Sequence, residues 1–288
     1  MLNSNYYRIS NTCLVMLIMV LLIEGFDYSF GWRLNVMFPE IYFFTFGRAD
    51  EGWNPLIWHE SGLIEILQEI LLLTTISLLI ILIIQLFKIK QKRNYRLLKF
   101  FIFIEILGLF YFFMEEISWG QHLLEYGTPQ IFLNKESFLY NHQKEFNLHN
   151  TSNLFNEIPR TITLIWCSLS IFFIKKLKIN ENSALHMFTR PNFKLLFISI
   201  LLLFFVIPDL VISKLDLIDY SELHIRDGGG SIIYNFDMML RIVFSFNFIR
   251  LSELQEFIII YYFFWHSFFL KETLNNKNNK SDLAKKKL

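Results

Sequence analysis

Apolar residues fall in blocks close to the thickness of a bilayer, separated by stretches where charged and polar residues crowd together. A hydrocarbon core about 30 Å thick takes roughly 20 apolar residues in a helix, because backbone N–H and C=O groups in lipid must bond within their own segment. Six blocks come close to that length, near 10–29, 62–87, 97–117, 159–175, 194–213 and 252–270. A seventh stretch, near 231–249, carries Asp237 and Arg241 four residues apart, a spacing that lets the two charges meet on one helix face; it reads as interfacial or re-entrant. The pattern predicts an all-α fold: a polytopic helical membrane bundle of about six transmembrane helices, with amphipathic or irregular outer segments. Residues 1–271 form the bundle domain in this reading, and 272–288 a disordered, basic cytoplasmic tail rich in Asn and Lys.

The first block differs from a signal peptide. Arg8 is its sole basic leader residue, and Glu24-Gly25-Phe26-Asp27 stands where a small-residue cleavage site would follow, so it reads as an uncleaved span. Basic residues then orient the bundle. Lys88, Lys90, Lys92, Arg93 and Arg96 follow the second block, Lys175, Lys176 and Lys178 the fourth, and Lys285-Lys286-Lys287 closes the chain. All three clusters fall on one side if six spans alternate, which predicts both termini in the cytoplasm. The segments on the opposite side, near 30–61, 118–158 and 214–251, are long and hold most of the unusual polar chemistry.

Composition agrees with this picture. The 288 residues are 53% hydrophobic and 18% charged, more apolar and less charged than a typical soluble domain. A net charge of +1 gives no reason to expect nucleic acid as a partner. Cys13 and Cys167 sit in separate apolar blocks, with no metal-type spacing.

The densest polar stretch begins at the outer end of the third block with Glu115-Glu116-Ile117-Ser118-Trp119-Gly120-Gln121-His122. It continues through Thr128-Pro129 and Asn141 to Asn147-Leu148-His149-Asn150. Adjacent carboxylates at a membrane boundary are costly unless paired, protonated or metal-bound. Glu115, Glu116 and His149 are therefore candidate catalytic groups, with Gln121, Asn147 and Asn150 orienting them. Glu116 and His149 suit a divalent metal ion as ligands, or one carboxylate can act as a general base. A plainer reading leaves the acids solvated among headgroups and Trp119 as an interfacial anchor.

Glu105 stands midway through the third block, eleven residues from Glu116; three helical turns place both on one face, roughly 16 Å apart. It reads either as a proton relay or as a protonated acid bonded to a neighbouring helix. Glu65 and Glu69 open the second block, and Glu253 and Glu256 the last. Helix-end capping accounts for Glu253 and partly for Glu65, but poorly for Glu69 and Glu256, which lie a turn deeper. These two could share an acidic pocket with Glu116. His266, deep in the last block, reads as a packed, hydrogen-bonded residue. No HExxH, CxxC, Walker or Ser/His/Asp pattern is present.

With Glu115 to Gln121, Thr128-Pro129, Asn141, Gln143, Glu145 and Asn147 to Asn150 in this order, the chain resembles a group of uncharacterised bacterial polytopic membrane proteins. These carry an EEISWGQ segment followed by an NLHN run. His122 stands where that group has Arg. The resemblance covers about a quarter of the chain. It implies a bacterial inner-membrane location and brings no reaction with it.

Three functions fit these features. One is a membrane-embedded, metal-assisted hydrolase or transferase acting on a lipid or lipid-linked substrate at the outer leaflet. Another is a non-catalytic assembly or sensing protein that docks a partner. The third is a proton-coupled transporter relayed by Glu105.

Overall fold

The computed structural model describes residues 2–30, 63–88, 93–124, 126–141, 146–148, 151, 153–176, 183–214 and 251–285. Among these the regular structure is helical throughout, without strands. The helices are α1 (Leu2–Phe30), α2 (Leu63–Phe87), α3 (Arg93–Glu116), α4 (Gln121–Leu124), α5 (Gln130–Leu133), α6 (Asn153–Lys176), α7 (Ala184–Thr189), α8 (Leu196–Lys214) and α9 (Leu251–Lys285). Short 3₁₀ turns at Ser118–Gly120 and Arg190–Leu195 join α3 to α4 and α7 to α8.

Three helical stretches among the described residues are long and apolar enough to cross a membrane: Ile66–Phe87, Asn94–Glu116 and Ala184–Ile207. Thr161–Ser170 is a shorter apolar helix. The third crossing stretch begins about ten residues before the expected 194–213 block, because α7 and the 3₁₀ turn lead straight into α8. The re-entrant stretch expected at 231–249 lies outside the described residues.

Two compact units divide the chain, where the sequence pattern suggested a single bundle: Met1–Leu67 with Leu203–Phe257, and Gln68–Leu202 with Ile258–Leu288. In the first, Leu254 and Phe257 are buried, and Gln255 Nε2 donates to the Phe205 carbonyl at 3.4 Å. The second holds the core that positions the candidate sites. There, Leu72, Leu79, Leu82 and Leu86 of α2 pack in one cluster with Leu98, Ile102 and Leu109 of α3, Met187 and Phe188 of α7, and Ile260, Leu270 and Leu274 of α9. Leu274 of the same cluster is only 2% exposed, and α9 is helical to Lys285.

Helix α3 shows why these elements suit lipid. Its buried face runs Leu98, Ile102, Glu105, Leu109 at helical spacing, while its exposed face carries Leu97, Phe100, Phe103, Ile104, Leu107 and Phe110. Both faces are apolar. An outward face with this composition would be a penalty in water and is the expected surface against hydrocarbon. Since lipid is as apolar as the core, close packing rather than water exclusion must hold such helices together. Specific ties supplement the packing. Ser170 Oγ accepts from Asn192 Nδ2 at 2.8 Å, Ser199 Oγ donates to the Cys167 carbonyl at 2.6 Å, and Lys194 Nζ pairs with Glu272 at 2.8 Å.

If packing carries this bundle, Ile102→Ala, which empties a wholly buried site, should cost about 2–4 kcal/mol, whereas Ile104→Ala on the exposed face should cost well under half of that. Thermal unfolding of the two variants in one detergent, followed by helical circular dichroism, measures the difference.

Candidate functional site

Helix α3 ends at Glu116, and the chain turns back through three consecutive residues of left-handed backbone: Ser118 (φ 46°), Trp119 (φ 55°) and Gly120 (φ 83°). Glycine adopts this conformation freely, but each L residue placed there costs about 1–2 kcal/mol. Hydrogen bonds compensate. Gly120 N donates to the Ile117 carbonyl at 2.7 Å, Tyr126 Oη donates to the Trp119 carbonyl at 2.9 Å, and Trp119 Nε1 reaches back to Glu115 Oε1 at 2.7 Å.

Glu115 is only 2% exposed, and its second oxygen is also taken: Leu148 N, thirty-three residues on, donates to Oε2 at 2.7 Å. An acceptor-only carboxylate between two N–H donors matches the ionised form of Glu. Gln121 bridges the same two stretches. Its amide nitrogen donates to Thr128 Oγ1 at 2.7 Å, and its oxygen accepts from Phe146 N at 2.6 Å. Asn147, buried, accepts on Oδ1 from Asn141 Nδ2 at 2.7 Å and lies 3.5 Å from Ser118 Oγ. Asn141 N in turn donates to the Phe132 carbonyl at 2.9 Å. The Phe146 ring closes the assembly, with ring centroids of Phe132, Trp119 and Tyr126 at 5.0, 5.9 and 6.3 Å.

The described residues among 115–148 thus form one knot at the Glu116 end of α3. Of the candidates named from sequence, it brings together Glu115, Gln121 and Asn147. Trp119, considered as a lone interfacial anchor, is part of its hydrogen bonding. Glu116 is half-buried beside it, while His149 and Asn150 lie outside the described residues. Glu69 is half-buried on α2. Glu65 lies in the first turn of α2 and Glu256 in the second turn of α9, both in the other unit, so a shared acidic pocket remains an expectation. Among the described residues, no three His, Cys, Asp or Glu side chains are grouped to hold a metal ion.

Glu105 belongs to a different constellation. It is 8% exposed on α3, and its Oε1 lies 3.0 Å from Nδ1 of His266 on α9. His266 is fully buried, and its Nε2 lies 2.9 Å from the Phe188 carbonyl of α7. The Tyr262 ring stacks on the imidazole at 6.3 Å, and the Phe188 ring meets it edge-on at 5.1 Å. Of the two roles open to Glu105 in the sequence, the structure supplies the bond to a neighbouring helix. A buried acid needs a partner, but the sequence does not single out His266 as that partner: it lies four residues from one end of the 252–270 block, as Glu256 does from the other. The Phe188 carbonyl was not legible, since no side chain announces it.

No family model, no curated protein and no solved structure matches this chain.

Glu115→Ala leaves both Leu148 N and Trp119 Nε1, which are half-buried, without their acceptor, at up to about 1–3 kcal/mol for each stranded donor. Amide exchange across 118–148 should then rise by at least tenfold, with Glu115→Gln, which keeps one acceptor oxygen, falling between. Gly120→Ala places its Cβ in ordinary contact with Leu124 Cδ1 at 3.8 Å but must hold φ near +83°. It should cost about 1 kcal/mol through backbone strain alone, read as a lowered melting temperature.

Proposed function

We propose that this chain is a multi-pass protein of the bacterial inner membrane, with six spans and both termini cytoplasmic, acting as a hydrolase or transferase on a lipid or lipid-linked substrate at the outer leaflet. The observation that carries the proposal is the Glu115 clamp. By bonding Leu148 N, Glu115 ties the end of a crossing helix to a segment thirty-three residues later. Glu116 is the sequence neighbour of one end of that bond and His149 of the other. Active sites need such rigid support, because reacting groups must be held to within a fraction of an ångström.

The surface of the knot suits a lipid substrate. Leu124 and Phe138 are each 70% exposed and Ile131 52%, on a segment that leaves the bundle beside an apolar helix. A groove of about 530 Å³ lined by Gln130, Ile131, Leu133, Asn134 and Ser137 mixes amide and aliphatic groups. That combination offers hydrogen bonds to a headgroup and apolar contact to a chain. In this reading Glu116 is the base or metal ligand, His149 its partner, and Glu115 the support for both. The order of the EEISWGQ and NLHN segments is accounted for as well, because a clamp needs both halves.

The test uses the full chain reconstituted in bilayers with headgroup-labelled lipids and lipid-linked sugars. Glu116→Ala and His149→Ala should each reduce turnover by a hundredfold or more, while amide exchange in 118–141 stays at the wild-type level. Elemental analysis of the same preparations separates metal ligands from a metal-free base. Full turnover in both variants would end the proposal.

A further inference from the structure

Two lysines of the bundle share a setting and differ in one respect. Each ammonium sits over an aromatic ring, Lys194 Nζ at 4.5 Å from the centroid of Phe269 and Lys99 Nζ at 4.2 Å from that of Phe87. Lys194 completes its setting with a carboxylate, Glu272 at 2.8 Å. Lys99 has neither an acceptor nor a counter-charge among the described residues. It is nevertheless the more buried of the two, with the residue 8% exposed against 49% for the Lys194 side chain. A ring face offsets part of the charge but gives the three N–H donors of an ammonium no lone pair to bond. A cation withdrawn from water to this extent is costly without an anion.

The place of Lys99 in the fold says what that anion is. Phe87 is the last residue of α2 and Lys99 lies in the second turn of α3, so the ammonium sits at the end of a hairpin of two crossing helices. Helical side chains lean toward the N-terminus, which carries Nζ back toward that end. The stem is buried while the nitrogen itself keeps access to the outside. Ile84 and Phe87 of α2 and Phe100 of α3 are exposed apolar residues of the kind that face hydrocarbon. Lipid phosphates form the layer in which such helices end. Charge favours a net negative headgroup as well. Residues 70–104 hold Lys88, Lys90, Lys92, Arg93, Arg96 and Lys99 and not one Asp or Glu. A zwitterionic headgroup would bring its own cation into that cluster, whereas an anionic one brings only its phosphate.

We propose that Lys99, seated over the Phe87 ring, binds the phosphate of an anionic phospholipid in the leaflet at the α2–α3 hairpin, with the acyl chains against the exposed apolar residues of the two helices. The site lies at the opposite end of α3 from the Glu115 knot and does not depend on the activity proposed there.

The test is lipid retention by the full chain in detergent, read by native mass spectrometry, with phosphatidylglycerol and phosphatidylcholine as the probes. The wild type should favour phosphatidylglycerol by about fivefold or more, the factor expected of one cation near a membrane surface. Lys99→Met keeps the stem, removes the ammonium and should lose most of that preference. Lys88→Gln removes an equal charge from the same hairpin and should keep it. Equal losses in the two variants would reduce the effect to diffuse attraction by the basic cluster and overturn the site, as would full preference in Lys99→Met. Inorganic phosphate at millimolar concentration should leave the lipid bound; displacement would assign the ammonium to a soluble phosphate and overturn the lipid. Where Lys99→Met fails to fold, wild-type protein in phosphatidylglycerol bilayers decides the matter. There ¹⁵N–³¹P magnetic resonance should show the Lys99 ammonium, identified by the loss of its signal in Lys99→Arg, in direct contact with phosphorus. An ammonium in contact with water alone would end the proposal.

Discussion

A carboxylate removed from water has to spend its acceptor capacity on something, and Glu115 spends both of its oxygens holding the chain together. One bond goes four residues forward to Trp119 and secures the left-handed turn. The other goes thirty-three residues forward to Leu148 and closes the loop. Charge-assisted bonds of this kind are about twice as strong as neutral ones, and their loss would leave the donors stranded. The Gln121 bridge, the Asn141–Asn147 pair and the Phe146 ring cluster all lie within the loop that this residue closes.

The clamp also separates two acids that look equivalent. Glu115 and Glu116 are adjacent, but helical geometry turns successive side chains by about 100°, so one can point into the knot while the other does not. Glu115 is 2% exposed with both oxygens bonded; Glu116 is half-buried. The architectural role falls to the first.

The bundle solves a related problem for Glu105. An isolated carboxyl among Leu, Ile and Phe side chains would be expensive to keep charged. His266 meets it from another helix, and the Phe188 carbonyl holds the far side of that imidazole. Three elements distant in sequence thereby share one small polar centre beside a cluster of apolar side chains. Such a centre favours one helix register over its neighbours, which apolar packing by itself does poorly.

How much of this could be read in the chain follows from the range of the forces involved. Helical blocks of bilayer length, the apolar outward face of α3 and the oddity of Glu105 are local: they need only hydropathy and the 3.6-residue period, and the sequence alone determined them. The Asn/Lys-rich composition after the last block gives no sign that Leu274 is buried. Which of two neighbouring acids is structural, that Trp119 bonds Glu115, that Asn141 pairs with Asn147, and that His266 closes on both Glu105 and a main-chain carbonyl were decided only by the tertiary structure. Those choices depend on directional bonds shorter than about 3 Å between residues up to 161 apart in sequence. Periodicity records which face a residue occupies; it carries no information about what waits on the other side.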